Sequence, residues 1–456
     1  MASASAQAGT WVRKLALGDI PPDLLAATKL RILDYLGLAL AAGSRAPGKA
    51  MRNAALALGA GGPSHIIGFG DAVTPGAAAL ANGTLATYLV FDDTHQETII
   101  HITTPVASSA FAAAEMTGAS GAEFLTAAVA GSELLCRLGL IAPKEFHKHG
   151  LHPTGILGAV ASAFVASRLM GLDDAATQSA IGIVGSMASG ISEAFADGTW
   201  SHLMNAGWGA HNGIAATLIA REGFTGPSTV IEGRFGLFRS HLQDPSVEFD
   251  FARLTQGLGT TWESRNIVHK LYPCAHVILP FLDCIAELAK TRGLTADKVE
   301  RMTCHIAGWM VPVVCEPVAE KRRPVSDFQA RTSLQFSLAE ALVRGRLGPD
   351  AYADASLRDG AIQALADRID YAVDDTAPGS GQYKGWVEVT TRDGGTMDHV
   401  VVYDGGADAD VAPQVRRKFR ECVAMAPKPR DADAIEDAVM AIETAPSVAA
   451  LMRLCR

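Results

Sequence analysis

The stretch PPDLLAATKLRILDYLGLALAA, residues 21–42, decides the class of fold. Prolines stand at its start, where a helix has no use for the missing N–H. Leu25, Ile32, Leu33, Leu36 and Leu40 then recur at the spacing of one helix face. The pattern predicts an amphipathic helix. Outward along the chain, Ala-rich stretches of helical character follow at 76–90, 104–118, 121–140, 153–170, 174–194 and 206–222, punctuated by glycines and short polar segments. No fixed period relates them, so a bundle is expected rather than a solenoid.

After about residue 255 the texture changes. Residues 297–313 (DKVERMTCHIAGWMVPV) and 384–403 (KGWVEVTTRDGGTMDHVVVY) carry β-branched residues, and Asp393-Gly394-Gly395 interrupts the second stretch as a hairpin turn would. Helical segments are expected between them at 276–292 and 330–345. From about 411 the chain returns to helix, with Val415, Phe419, Cys422 and Val423 at helical spacing. The fold expected is mainly α with α+β. A large helical domain takes residues 1–255 and 405–456, and a smaller α+β domain takes 256–404. A chain of 456 residues is long for one core, which fits two domains.

Composition narrows the function. A formal net charge of −9 argues against nucleic acid or an anionic membrane as partner. It also means that an anionic substrate would need positive charge gathered locally. The longest apolar stretch, at 153–172, is uncharged only from Pro153 to Ser167, too short for a membrane span. No secretory signal is evident, and the seven cysteines form no CxxC pair, so reduced thiols in the cytoplasm are expected. There is no P-loop, GxSxG elbow or HExxH, and Gly68-Phe-Gly70 lacks the third glycine of a dinucleotide fingerprint.

Four stretches carry candidate chemistry. FDDTHQETIIH, 91–101, places Asp92, Asp93, Thr94, His95, Glu97 and His101 close together; it reads either as a pocket loop or as a helix terminus capped by Asp and Thr. EFHKHGLHPTGILG, 145–158, has His147, His149 and His152 around Lys148, ahead of a helix opened by Pro153-Thr154 whose N-terminus favours a carboxylate. Zinc is the rival reading there, without a suitably spaced third ligand. DGTWSHLMNAGWGAHNG, 197–213, offers His202 and His211, the latter also readable as structural. In HKLYPCAH, 269–276, Pro273 keeps Tyr272 out of helix, so Lys270 and Tyr272 sit on extended backbone before a helix. An exposed lysine is the plain alternative.

In this order the stretches resemble the MmgE/PrpD family, which includes 2-methylcitrate dehydratase, cis-aconitate decarboxylase and iminodisuccinate epimerase. The resemblance runs nearly the whole chain through ILDYLG (32–37), ALANG (79–83), FDDTH (91–95), His152-Pro153-Thr154, GFTGP (223–227), the Lys270–Pro273 stretch and ARTSLQFSLAEAL (330–342). It implies a helical domain built from both chain ends, an inserted smaller domain, a homodimer, an interdomain active site and no metal or organic cofactor. The matching site residues are Asp93, Thr94, His101, His152, Lys270 and His276. The chain also departs from the family pattern. Val90 stands where D-F-D-D-T begins, His202 where a lysine is usual, and Phe336 where a tyrosine is common.

The chemistry implied is proton abstraction beside a carboxylate, which needs a base together with cations or donors around the developing enediolate. His101 or His152 would be the base, with His152 preferred. The other, or His276, would protonate a leaving hydroxyl, Lys270 would hold a carboxylate, and Asp93 would fix a histidine tautomer. Thr94, His95, His202 and Tyr272 would bind substrate. Dehydration of a 2-methylcitrate-like hydroxy-polycarboxylic acid is the leading outcome. Epimerisation or decarboxylation of a related acid is the alternative, and a carboxylate-binding protein without turnover is the rival of another class. The departures favour a chain that keeps the carboxylate frame without the decarboxylase reaction.

Overall fold

The computed structural model describes residues 3–377, 382–403 and 411–456. The molecule is mainly α with a smaller α+β part, as the periodicities predict. The helix Pro22–Ala42 begins at the expected prolines and is buried on nearly every side beyond Arg31. It is central to the bundle rather than laid on its surface.

Pro75–Thr87, Thr103–Thr117 and Gly121–Leu140 pack on it, and Pro153–Leu169 and Asn205–Arg221 pack on these in turn. The small residues explain how closely they pack. A Cβ built on Gly83 would fall 2.4 Å from Cα of Gly207, and one on Gly207 would fall 2.2 Å from the Leu80 carbonyl. Two helix backbones touch there with no room for a side chain. The sequence's wealth of Ala and Gly is therefore spent on helix–helix approach.

Two expected elements are shorter than their patterns. The helix expected over 174–194 is Asp174–Val184. Beyond it, Gly185–Glu193 is irregular, and Gly190 (φ +156) carries the chain beside His152, whose N–H donates to the Gly190 carbonyl at 3.0 Å. The strand expected over 297–313 is Val299–Ile306. Gly308 and Pro312 belong to short helical turns after it.

A four-stranded sheet is ordered Ile369–Val373, Val299–Ile306, Tyr383–Thr391, Thr396–Tyr403. The first pair is parallel and the others are antiparallel. The last two strands form the hairpin expected at Asp393-Gly394-Gly395, with Gly394 at φ +85. One face of the sheet lies on the helix Leu279–Arg292.

The chain builds two main apolar cores. The larger takes residues from Ala8 to Ile267, then Phe328 and Phe419–Cys455; the smaller takes Cys274–Val389. Trp262 and Ile267, which follow the expected crossing at 255/256, pack in the larger core. The expected return at 404/405 lies outside the described residues. The helix Ala412–Ala424 then packs on Pro22–Ala42, and a Cβ on Gly37 would meet the Phe419 ring at 2.9 Å.

Lys418 on that returning helix is buried. Its ammonium donates to Asp34 Oδ2 (2.8 Å), the Phe91 carbonyl (2.7 Å) and the Lys270 carbonyl (3.2 Å). Removing one member of such a set strands a buried charge. We predict that Lys418→Met lowers stability by about 3–5 kcal/mol in urea unfolding. The double variant with Asp34→Asn should lose less than the two single losses added together. Strict additivity would show that the two groups do not interact.

Candidate active site

The segment after Pro75–Thr87 starts at Val90, a β-branched residue held at φ +52. That left-handed conformation is a strained one for valine. The chain then forms a two-residue strand, Thr94–His95, antiparallel to Ile267–Val268, with Thr94 opposite Val268 and His95 opposite Ile267. This short ladder ties the FDDTH stretch to the Lys270 stretch across more than 170 residues of sequence.

The two aspartates divide the work. Asp93 accepts from the Thr103 N–H (3.0 Å) and the Thr103 hydroxyl, at the start of the helix Thr103–Thr117. It behaves as the helix-terminus reading of this stretch anticipated. Asp92 accepts from the Thr104 hydroxyl at 2.9 Å, and its other oxygen lies 3.5 Å from Nδ1 of His101. Burial pushes the Asp92 carboxyl up to about 6, against the pull of Lys270.

His101 has its Nδ1 facing three oxygens, two of them within hydrogen-bond geometry. Its Nδ1 lies 3.1 Å from the Asp93 carbonyl, 3.3 Å from the Thr94 hydroxyl and 3.5 Å from Asp92. A carbonyl can only accept, so Nδ1 carries the proton and Nε2 keeps its lone pair. Backbone anchoring is equally firm, since the His101 N–H donates to the Thr154 hydroxyl at 3.1 Å.

His152 sits at the entrance to the helix Pro153–Leu169, as expected. Its ring lies 6.3 Å from that of His101 and 4.0 Å from that of His202. His202 packs in turn on Phe195 (4.7 Å) and Phe328 (5.6 Å). Lys270 is buried with its ammonium on the Val90 carbonyl at 3.1 Å. His276 leads into the helix Leu279–Arg292 and stands edge-on to Tyr383 at 4.7 Å. Nδ1 of His152 and of His202, and both ring nitrogens of His276, are buried without a hydrogen-bond partner among the described residues. Buried polar atoms are normally paired, so these stand ready for a ligand.

These groups meet in one cavity of about 930 Å³, lined by His101, His152, His202, Lys270, His276 and Val90 among others. Of the residues given a catalytic or binding role from the sequence, four do not line it. Asp93 and Thr94 stand behind His101. His95 is buried with Nδ1 on the Thr98 hydroxyl (3.0 Å), and Tyr272 donates to Asp283 (2.9 Å). Phe336 is packed in the smaller core, away from the cavity lining.

The cavity also has members that the sequence reading did not select as site residues. His147 belongs to the histidine-rich stretch already noted, and Lys144 stands just ahead of it. The Lys144 ammonium lies over the rings of Trp309 (4.9 Å) and Tyr383 (5.5 Å), and burial lowers it to about 8. Widening the basic stretch by one residue finds Lys144; no local pattern marks Trp309. Among the described residues, no group of three or more His, Cys, Asp or Glu side chains is placed to hold a metal ion.

The family models match this chain over most of its length: the MmgE/PrpD N-terminal domain over residues 6–250 and the MmgE/PrpD C-terminal domain over 272–444. The chain belongs to the MmgE/PrpD family. Among its relatives is a cis-aconitate decarboxylase-like protein, oryM, of Aspergillus oryzae. It is 27% identical over 479 aligned positions, covering 99% of this chain and 96% of that protein. The cis-aconitate decarboxylase of Aspergillus terreus is 25% identical, covering 97% and 94%. The mitochondrial 2-methylcitrate dehydratase of Yarrowia lipolytica is 24% identical, covering 58% and 51%. Such relatives support an enzyme of lyase type. Among the described residues no helix is long and apolar enough to cross a membrane.

The site's histidines are held neutral. Burial lowers His101 to about 3, helped by Lys270, and lowers His276 to about 3 in the same way. His202 falls to about 3 and His147 to about 4, each chiefly by burial, and His152 falls well below its ordinary value. In an unfolded chain these rings take up protons near pH 6.5. Below that pH the unfolded state therefore binds more protons than the folded one, and stability falls as pH falls. Each ring still neutral at pH 5 costs about 2 kcal/mol relative to pH 7. The melting temperature should accordingly drop between pH 6.5 and pH 4.5, and the drop should be smaller in His276→Gln. An unchanged slope in that variant would show that His276 is not held neutral by the fold.

Proposed function

We propose that the chain is a hydro-lyase that takes a proton from carbon beside a carboxylate of a small, 2-methylcitrate-like hydroxy-polycarboxylic acid and expels water. The carrying observation is the setting of His101. Its Nδ1 is committed to the Asp93 carbonyl, which leaves Nε2 as a lone-pair base in a cavity shared with Lys270, His152 and His276. The sequence alone favours His152 for that role. His152 lacks the fixed partner on Nδ1 that orients a base, so we assign the base to His101 and carboxylate binding to His152 with His202.

Substrate binding supplies negative charge to the site. The neutral rings and the buried Lys270 ammonium form a site short of negative charge, and an incoming carboxylate raises the proton affinity of every ring near it. His101 gains basicity, and His276 becomes able to carry a proton. His101 then takes the proton from carbon, and charge develops on the carboxylate held by Lys270. The carbon–oxygen bond breaks as His276 delivers a proton to the departing hydroxyl. The products are water and an unsaturated acid. Asp93 and Thr94 act from behind His101 by fixing its ring. No metal or organic cofactor enters this scheme, and the same reading has the chain working as a homodimer in the cytoplasm.

A second reading is loss of carbon dioxide from an already unsaturated acid. Full-length similarity to a cis-aconitate decarboxylase supports it, while Val90 at the first position of D-F-D-D-T argues for a changed reaction. Incubation with 2-methylcitrate, citrate, cis-aconitate and amino-dicarboxylates in deuterated water, followed by NMR, separates the outcomes. Water loss marks the dehydratase, carbon dioxide loss the decarboxylase, and deuterium at an α-carbon without net conversion the epimerase. Binding without any of these would indicate a protein that kept the frame and lost turnover.

On the dehydratase reading, His101→Gln should lower kcat by roughly 10²–10⁴-fold with little change in melting temperature. His152→Gln should raise KM more than it lowers kcat. A wild-type kcat in His101→Gln would remove His101 from the role of base.

A further inference from the structure

The cavity is larger and more apolar than a small polyacid requires. At about 930 Å³ it stands near the top of the range for sites that enclose drug-sized ligands. It has the share of liquid volume of about thirty waters, whereas a citrate-sized acid has only about a dozen non-hydrogen atoms.

The polar groups that serve a carboxylate are the histidines and lysines already described. Much of the remaining lining is hydrocarbon: Ile99, Phe195, Val277, Met310, Val313 and Phe328. Met310 and Val313 come from the turn that ends the strand Val299–Ile306 early, where Gly308 and Pro312 replace the strand expected there. That departure from the sequence pattern brings apolar side chains to the cavity. Val313 and Trp309, on the cavity wall, are 38% and 45% exposed. Val90 adds a further apolar side chain beside Lys270, at the position where the family pattern has an aspartate.

We infer that the site accepts a polycarboxylate bearing an apolar substituent of several carbons, an alkyl or aryl group seated against Val277, Met310, Val313 and the Phe195 and Phe328 rings. The inference rests on the carboxylate-binding reading above and specifies its substrate class. The head of the molecule would meet Lys270 and the histidines, and the tail would displace water from the hydrocarbon wall. Each buried methylene then strengthens binding by about three- to fourfold.

The test is calorimetric titration of the full chain with unreactive 2-alkylsuccinates, from methyl through butyl to octyl. We expect Kd to fall by at least about tenfold from methyl to butyl, with a heat-capacity change that grows more negative along the series. Val313→Asp, at a part-exposed position that tolerates a polar residue, should flatten that dependence. A Kd that is constant or rises with chain length overturns the inference. So does a series in Val313→Asp and Met310→Asp that is as steep as in the wild type. These ligands do not react, so the titration is independent of turnover. Conversion of 2-methylcitrate alongside a flat series would overturn the tail and leave the lyase standing. A steep series without turnover of any acid would support the tail and count against the lyase.

Discussion

The ammonium of Lys418 is the interaction on which the site depends. It leaves water entirely, so it needs full compensation, and it finds this in one carboxylate, two carbonyls and the face of the Phe91 ring at 3.8 Å. Those partners come from the helix Pro22–Ala42, the FDDTH segment and the segment that carries Lys270. Burial alone would raise the Asp34 carboxyl, yet Lys418, with His269 beside it, holds it below its ordinary value. The Asp34 carboxyl is therefore held ionised in the folded state. The ammonium comes from the far end of the chain, so the carboxy-terminal helix is bonded to the loops on either side of the cavity.

A second buried set secures the connection between the two cores. Glu133 accepts from the N–H groups of Glu263 and Ser264 and from the Ser264 hydroxyl. Arg137, paired with Glu133, donates to the carbonyls of Arg253, Gln256 and Thr261, and Arg31 donates to that of Ser264. An irregular segment cannot satisfy its own carbonyls as a helix does. Here buried charged side chains do so instead. The segment leads directly into Ile267–Val268, whose two-residue ladder fixes His101 against Lys270. The placement of the proposed base thus follows from backbone satisfaction several residues away.

This explains what could be read from the sequence. Helices announce themselves through local spacing, and Pro22–Ala42, Gly121–Leu140 and Pro153–Leu169 fall where that spacing puts them. The Asp-Gly-Gly hairpin is equally local. The misjudged ends are those set by distant contacts. The helix after Asp174 stops where Gly185–Glu193 must pass His152, and the strand after Val299 stops where the chain turns to line the cavity. Site residues follow the same rule. His101, His152, Lys270 and His276 could be named from short stretches and the family resemblance. That His95 turns to Thr98, that Tyr272 turns to Asp283, and that Trp309 and Lys144 meet could not, because each depends on pairing across the fold.

The same burial that shapes the site sets its electrostatics. A chain of net charge −9 must attract an anion at short range, and charging the rings permanently would have that effect at a heavy desolvation cost. The fold instead holds the histidines neutral, while the Lys270 ammonium favours the ionised form of Asp92, whose carboxyl burial raises to about 6. In the proposed reaction, neutral rings serve as bases and donors without prior deprotonation, and the carboxylate that arrives completes the charge balance. The hydrocarbon wall of the cavity works in the same direction. By excluding water it lowers the local dielectric, which in the proposed reaction would strengthen the attraction between Lys270 and the developing enediolate. An apolar substituent on the substrate would finish that exclusion, which makes recognition of the tail and stabilisation of the charged head parts of one physical arrangement.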